Sequence, residues 1–296
     1  MRNLRVYINW FLEQKIGYLL SDKVYVKLHY WCITGQHLNL RNPQSFNEKM
    51  QWLKLYDRNP FYTELVDKDK VKKFIADNFG AKYVIPTIGI WDSPESIDWT
   101  KLPSSFVLKA THDSGGLVIC RNKEELNKEQ TICKLKKSIE HDYFLSGREW
   151  PYKNVQRKII AEKFMGGENG EGLRDYKFFC FEGKPKFLYV SEGLENHSTA
   201  KISFYDFDGK ELPFRRSDYT PFNRNLVFPD NFSAMKDLAQ AIAKKIPSPF
   251  VRVDLYSIDS DIYFSEITFF PCSGMIPFYP SYWDRELGKW FSVPKK

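Results

Sequence analysis

A chain of 296 residues with 43% hydrophobic and 27% charged residues has an ordinary globular balance, enough for one large core or two modest ones. Its net charge of +7 favours anionic partners, but no run of five like charges marks a nucleic-acid-binding arm. The five cysteines (Cys32, Cys120, Cys133, Cys180, Cys272) are scattered and never in C-x-x-C spacing, which argues against a disulfide scaffold or a cysteine zinc site and fits a reducing cytoplasm.

The opening stretch, 1-MRNLRVYINWFLEQKIGYLL-20, predicts a helix, because Glu13 and Lys15 break the apolar run before it could serve as a signal peptide or a membrane span. Two readings stand: a helix packed on its own domain, or peripheral attachment to a membrane surface through Trp10, Phe11 and nearby basic residues. In 45-SFNEKMQWLKLYDR-58, Ser45 and Glu48 have capping-box spacing and Met50, Leu53 and Tyr56 form one apolar side. The stretch 67-DKDKVKKFIADNFG-80 places Val71, Phe74, Ile75 and Phe79 on one helical face and stops at Gly80.

The period then changes to that of strands: 82-KYVIPTIGIW-91, followed by a hairpin over 105–121. A helix opening near Asn122 and Glu125 carries Ile132, Leu135 and Ile139, and a short strand, 157-RKIIAEKFM-165, runs into the glycine-rich GGENGEG. Three further β segments, over 175–192, 201–214 and 250–270, each have a turn-rich centre and read as antiparallel hairpins. Between the last two, 233-SAMKDLAQAIAKKIP-247 has a helical stripe of Met235, Leu238, Ala239, Ile242 and Ile246. The pattern predicts an α+β fold in which helices cover antiparallel sheets. There is no internal repeat or flexible linker.

Three constellations bear chemistry. In 106-FVLKATHDSGGLVIC-120, Lys109 shares a strand face with Val107 while Phe106, Leu108 and Ala110 point the other way. A lysine there is either an edge residue reaching water or the partner of an anion. Thr111, His112, Asp113 and Ser114 after it supply polar groups, and Gly115 and Gly116 let backbone amides approach a phosphate. In 252-RVDLYSIDSDIYFSEITFF-270, Asp254 and Glu266 lie on the two arms of one hairpin. They are either solvent-facing acids or a Mg²⁺ pair, and apolar neighbours such as Val253, Leu255 and Ile267 favour the metal. Arg252 shares the face of Asp254 and could neutralise a phosphate. In 159-IIAEKFM-165, Glu162, Lys163 and Phe164 either end a core strand with an exposed Glu-Lys pair or stand where a strand end could read an adenine ring. Asp175 and Lys177, two apart on the next strand, suit ribose hydroxyls and a phosphate.

These pieces in this order resemble the ATP-grasp superfamily, and within it the TupA-like branch associated with teichuronopeptide and other surface-polysaccharide clusters. The matching text includes SFNEKMQWLKLYDRNP, DKDKVKKF, VIPTIGIWD, PSSFVLKATHDSGG, IIAEKF, RDYKFFCFEGKPK and YFSEITFFPCSG. The resemblance implies an ATP-grasp fold with a helical region over 1–80, a small lobe over 81–165 and a large lobe over 166–296, with the nucleotide between the lobes. It also implies ATP and Mg²⁺ as cofactors. Lys109 would contact the phosphates, residues 112–116 (His112, Asp113, Ser114, Gly115, Gly116) would close over them, and Glu162 through Phe164 would read adenine. Asp175 would meet the ribose, Asp254 and Glu266 the metal, and Arg252 the phosphoryl group in transfer. One departure is Glu266-Ile267-Thr268, where many such ligases have Glu-x-Asn, so Thr268 would be a weaker metal ligand.

The implied activity is an ATP-dependent carboxylate–amine ligase that joins an amino acid or other amine to an acidic sugar in capsule or surface-polysaccharide assembly. It would work in the cytoplasm or at the inner face of the membrane, without nucleic acid. Two alternatives remain open from the residues: a glycosyltransferase and a non-catalytic nucleotide-binding module. The D-x-D patterns at 67–69, 206–208 and 259–261 fall in a helix start or in turns.

Overall fold

Ser45 and Glu48 form the capping box that their spacing predicts: Ser45 Oγ accepts from the Glu48 amide at 3.1 Å, and Glu48 Oε2 accepts from the Ser45 amide at 3.2 Å. They start one helix of the computed structural model, which describes residues 2–14, 17–113, 115–166, 173–193 and 200–294. The helical region comprises α1 (Arg2–Glu13), α2 (Asp22–Thr34), α3 (Phe46–Tyr56), α4 (Phe61–Val66) and α5 (Lys70–Phe79). In α1, Leu12 and Ile8 pack against Tyr25, Leu28 and Trp31 of α2, while Val6, Tyr7 and Trp10 face outward. The helix therefore packs on its own domain and keeps an apolar outer face.

The first sheet holds β1 (Thr87–Trp91), β2 (Phe106–Ala110), β3 (Val118–Cys120) and, after α6 (Lys128–Glu140) and α7 (Tyr143–Gly147), β4 (Ile159–Lys163). Its order is β1-β4-β2-β3, antiparallel throughout. The expected strand over 82–91 is shorter, because Pro86 has no N–H to give a ladder and residues 81–83 form a 3-10 turn instead. The helix expected from Asn122 begins later. Asn122 caps a short turn at Lys123–Glu125, and Asn127 caps α6 by accepting from the Gln130 amide at 2.9 Å. Phe106, Leu108 and Ala110 bury against Leu135 of α6, so β2 alternates as predicted.

The second sheet has the order β10-β9-β5-β6-β7, also antiparallel: β5 (Asp175–Phe181), β6 (Lys184–Glu192), β7 (Lys201–Tyr205), β9 (Phe250–Ile258) and β10 (Asp261–Thr268). Glu182 and Gly183 turn β5 into β6 with left-handed φ of 48° and 74°, a conformation that a two-residue hairpin demands. The expected hairpin over 201–214 forms only as far as Leu212, whose amide donates to the Phe204 carbonyl at 2.8 Å. After one bridge from Tyr205 to Glu211 the chain meets Pro213 and leaves β7, and β8 (Arg215–Arg216) pairs instead with β11 (Phe278–Tyr279).

Every residue of β5 is buried, so both faces of the sheet are covered. Phe178 stacks on Phe232 of α8 (Phe232–Lys245), which lays Met235, Ala239 and Ile242 on that face. On the opposite face Phe181 meets Phe46 of α3, and the final helix, α9 (Tyr282–Gly288), holds α3 through Asp284, which accepts from the Asn47 amide at 2.8 Å. That second face is divided along its length. Phe179 and Phe181 fill one end, and Asp175 and Lys177, at the same alternation, charge the other.

Candidate active site

The charged end of the second sheet meets the first sheet across a cavity of about 240 Å³. Ile85, Val107, Ile119, Met165 and Tyr256 give it an apolar wall, and Lys109, Glu162, Lys163, Phe164 and Asp175 give it polar or aromatic edges. A short parallel bridge from Val84 to Phe264 ties the segment before β1 to β10 beside it.

Register brings the first cluster together. Val107 stands opposite Glu162 on the β2–β4 ladder, and Lys109 reaches along the face to pair with Glu162 Oε2 at 2.6 Å. A second lysine that the strand pattern did not reveal arrives from α5: Lys72 Nζ lies 2.7 Å from Glu162 Oε1 and donates to the Ile85 carbonyl at 2.7 Å. Burial raises the Glu162 carboxyl, yet the charges of Lys109 and Lys72 outweigh it and hold the pKa at about 2. Both Glu162 oxygens are thus engaged in aiming two lysines, so the carboxylate expected to read adenine here organises the cations beside the cavity.

The second cluster lies on β5, β9 and β10. Asp254 and Glu266 are directly opposed cross-strand partners, as the hairpin predicts. Arg252 grips Asp254 with two bonds, at 2.7 and 2.6 Å, and donates to Glu266 Oε1 at 2.9 Å and to the Tyr189 hydroxyl at 3.3 Å. Lys177 joins Asp254 at 2.7 Å and also pairs with Asp175. Asp254 is wholly enclosed; burial lifts its pKa to about 6 against the pull of Arg252 and Lys177, with Glu266 and Asp175 pushing the same way as burial. Glu266 is the reverse case, since the charges of Lys177, Arg252 and Lys68 overcome burial and keep it at about 2.

These residues suit a hard cation. Among the described residues no third acid, histidine or cysteine completes a protein cage, and Mg²⁺ fits that arrangement, because it takes one or two carboxylates and fills its other positions with water and phosphate oxygens. The buried Asp175 Oδ1 has no hydrogen-bond partner, an acceptor left for a ligand hydroxyl or a metal-bound water. The Glu266 side chain is 41% exposed and can reach an incoming ion. Thr268 donates to Glu266 Oε1 over 3.4 Å, too long for a firm hold.

His112 and Asp113 sit differently from expectation. His112 and Asp113 turn inward, away from the cavity: His112 Nε2 meets the His141 carbonyl at 3.1 Å, and Asp113 binds Ser138 Oγ at 2.5 Å and the Gly115 amide at 3.0 Å. They anchor the base of the loop on α6. A Cβ at Gly116 would stand 2.1 Å from Ser138 Oγ, so this glycine is required for packing, whereas at Gly115 the nearest atoms are 3.7 Å away. Ser114 lies outside the described residues, as does most of GGENGEG.

Lys68 is the other residue that the strand and hairpin patterns did not reveal. Its ammonium donates to the Asp113 carbonyl; burial lowers its pKa, and Glu266 is the leading charge that opposes this. Lys68 and Lys72 are four residues apart in DKDKVKKF, Lys68 in the turn before α5 and Lys72 on the helix. That spacing was the available signal.

A family model described as TupA-like ATPgrasp matches residues 48–292. Among solved structures, the chain is similar to a D-alanine–D-alanine ligase from Bacillus anthracis, with 18% identity and a TM-score of 0.41 over 78% of this chain and 61% of that one. It is similar to an L-amino acid ligase from Bacillus licheniformis, with 15% identity and a TM-score of 0.42 over 75% and 47% of the two chains. A D-alanine–D-alanine ligase from Helicobacter pylori gives 14%, 0.42, 86% and 70% in the same order. The chain spans less than two thirds of the first two, and no curated protein matches it.

Proposed function

The chain belongs to the TupA-like ATP-grasp family, and from that premise we propose that it is an ATP- and Mg²⁺-dependent carboxylate–amine ligase acting on an acidic sugar in surface-polysaccharide assembly. The observation that carries the reading is one site with two differently built ends: Lys109 and Lys72 aimed by Glu162 at an apolar cavity, and Asp254 with Glu266 beside Arg252 and Lys177.

A carboxylate resists attack because its leaving group would be oxide. Transfer of the γ-phosphoryl group makes the leaving group phosphate, and an amine then forms the amide. Asp254 and Glu266 would hold Mg²⁺, which when bound neutralises phosphate charge. Lys109 and Lys72 would hold the phosphates, and Arg252 would face the oxygen charge that grows during transfer. The apolar wall made by Val107, Ile119 and Tyr256 would exclude water from the base, with Asp175 at the ribose. No protein nucleophile is required, so positioning and electrostatics carry the rate.

The sugar, the cytoplasmic location and contact with the inner membrane face belong to the same proposal, as does the division into a helical region and two lobes. The basic balance supports the acidic substrate, and the outward Tyr7 and Trp10 of α1 support the surface contact. No helix among the described residues is long and apolar enough to cross a membrane. The test is incubation with ATP, Mg²⁺, glucuronic acid or its nucleotide-linked form, and a mixture of amino acids. Amine-dependent phosphate release with a product mass equal to acid plus amine minus water is expected. Consumption of a sugar nucleotide with ATP untouched would sink the ligase reading.

A further inference from the structure

The sheet face that carries Asp254 runs on past the two charged clusters. Along β9, Tyr256 lines the nucleotide cavity, Asp254 follows, and Arg252 stands about 13 Å from Tyr256 at the rise of an extended strand. Beyond Arg252 the face meets the β8–β11 ribbon. Phe278 of β11 packs on Phe204 of β7 with ring centroids 6.1 Å apart, and Phe204 lies 5.6 Å from Tyr189, whose hydroxyl accepts from Arg252 Nη1 at 3.3 Å.

The ribbon turns one arginine inward and one outward. Arg216 is the cross-strand partner of Phe278 and shares its inner side, with 11% of its side chain exposed. Arg215, next to it, lies over the ring of Tyr279, which is 55% exposed. The surroundings of Arg216 are aromatic: its guanidinium lies 4.7 Å from the Tyr219 ring, and Phe278 meets Phe214 at 5.9 Å. An apolar side chain would fill that place without the desolvation that a guanidinium costs. Its acid is Asp218, 43% exposed, which accepts from Nε at 2.9 Å and from Nη2 at 2.5 Å. Among the described residues Nη1 has no acceptor.

A rigidly held turn stands between Arg216 and Arg252. Burial raises the pKa of the Cys272 thiol, and the charges of Arg216 and then Arg252 lead the opposition to it. Cys272 and Ser273 both have a φ of 51°, a left-handed conformation that persists in such residues only where the surroundings enforce it. Here α3 enforces it: Lys54 Nζ donates to the Ser273 carbonyl and Gln51 Nε2 to the Gly274 carbonyl, both at 2.7 Å. Two arginines from distant segments thus flank one fixed turn at the end of the face opposite the nucleotide cavity.

Position and charge choose the ligand. In the ligase reading, on which this inference rests, the transferred phosphoryl group and the acid lie by Arg252, and the amine enters from beyond them. A monoanion suits Arg216, because Asp218 already neutralises part of its charge and would repel a dianionic phosphate. An amine with a carboxylate one carbon from its nitrogen is an amino acid. That carboxylate must be kept from the γ-phosphoryl group, or the amine donor would itself be activated. We propose that Arg216 is a specificity-determining residue whose Nη1 edge holds the α-carboxylate of an amino acid, the amine substrate.

The test uses the full chain with MgADP and, as probe, a mixture of the common amino acids in saturation-transfer difference NMR. Signals from at least one amino acid are expected. They should fall about tenfold in Arg216→Gln and persist in Arg215→Gln, with circular dichroism and ADP binding unchanged. Asp218→Asn should tighten binding about threefold, because it removes the charge that competes for Arg216, whereas a purely structural pair would make both variants weaken alike. In turnover the bound amino acid should exceed its carboxamide about tenfold in kcat/KM. Arg216→Gln should raise KM for the amino acid and not for ATP, and close the gap to the carboxamide; Arg216→Lys should recover part of the loss. Equal use of the carboxamide by the parent, undiminished binding by Arg216→Gln, parallel losses in Arg216→Gln and Asp218→Asn, or no bound amino acid would each overturn the proposal. Arg216-dependent binding without amine-dependent phosphate release would remove the ligase reading and leave the amino-acid site standing.

Discussion

Two buried carboxylates, Glu162 on the first sheet and Asp254 on the second, are each gripped by two cations, yet they respond in opposite directions. Glu162, between Lys109 and Lys72, is held at about 2, and Asp254, between Arg252 and Lys177, is lifted to about 6. Burial is the leading cause at both and pushes both upward; at Glu162 the two lysines outweigh it. At Asp254 the arginine and lysine do not, and the acids Glu266 and Asp175 push the same way as burial. A pair of lysines around a lone acid makes a fixed anchor with charge to spare for a phosphate. Beside Arg252 and Lys177, Asp254 is fully engaged and enclosed, and Glu266 is the carboxylate whose partly exposed side chain an incoming cation can reach.

The strongest way to break this comparison is at the second site. Glu266→Ala should reduce ATP-dependent phosphate release by about 10³-fold while thermal unfolding stays close to the parent, since that side chain is partly exposed. Retention of most activity with ordinary magnesium dependence would remove the metal assignment.

Acid titration sharpens it further. Glu162, depressed below its ordinary 4.5, stabilises the fold above about pH 4.5, and that stability is lost as pH falls toward 2. The unfolding free-energy gap between parent and Glu162→Gln should therefore be about 3 kcal/mol near pH 6 and close as pH falls through that window. Asp254, raised from 3.8, binds its proton more tightly when folded, so its contribution declines as pH rises from about 4 to about 6. The gap between parent and Asp254→Asn, measured in chelator, should narrow over that range. Slopes of the same sign in the two variants would refute the contrast.

Lys109→Ala should lower turnover by about 10²-fold, and Lys72→Ala by about tenfold, mainly as a raised KM for ATP. If Lys72→Ala alone left KM unchanged, α5 would have no part in the site. At the loop base, Gly116→Ala should cost about 2 kcal/mol of stability against Ser138, and Gly115→Ala much less, in chemical denaturation. The smallest effect belongs to Thr268→Val, about twofold in turnover, because its long contact with Glu266 fixes little.

Much of this was legible along the chain. The Ser45–Glu48 box, the alternation that sets Lys109 apart from Leu108, and the opposition of Asp254 and Glu266 on one hairpin all follow from periods of 3.6 and 2. Where the reading failed, a local feature intervened. Pro86 and Pro213 shortened strands, and Asn127 displaced Asn122 as the cap of α6. His112 and Asp113 were expected over the phosphates because they follow the strand of Lys109, but α6 offered them buried partners that a linear reading does not contain.

The sequence by itself determined the elements, the α+β class and which side chains share a face, because those depend on residues a few positions apart. The tertiary structure decided which charges meet. Lys72 reaches Glu162 from a helix far earlier in the chain, Lys177 bridges two acids on adjacent strands, and the enclosure of Asp254 is made by several segments at once. Coulomb interactions depend on distance and burial in space, and neither is encoded in a local period.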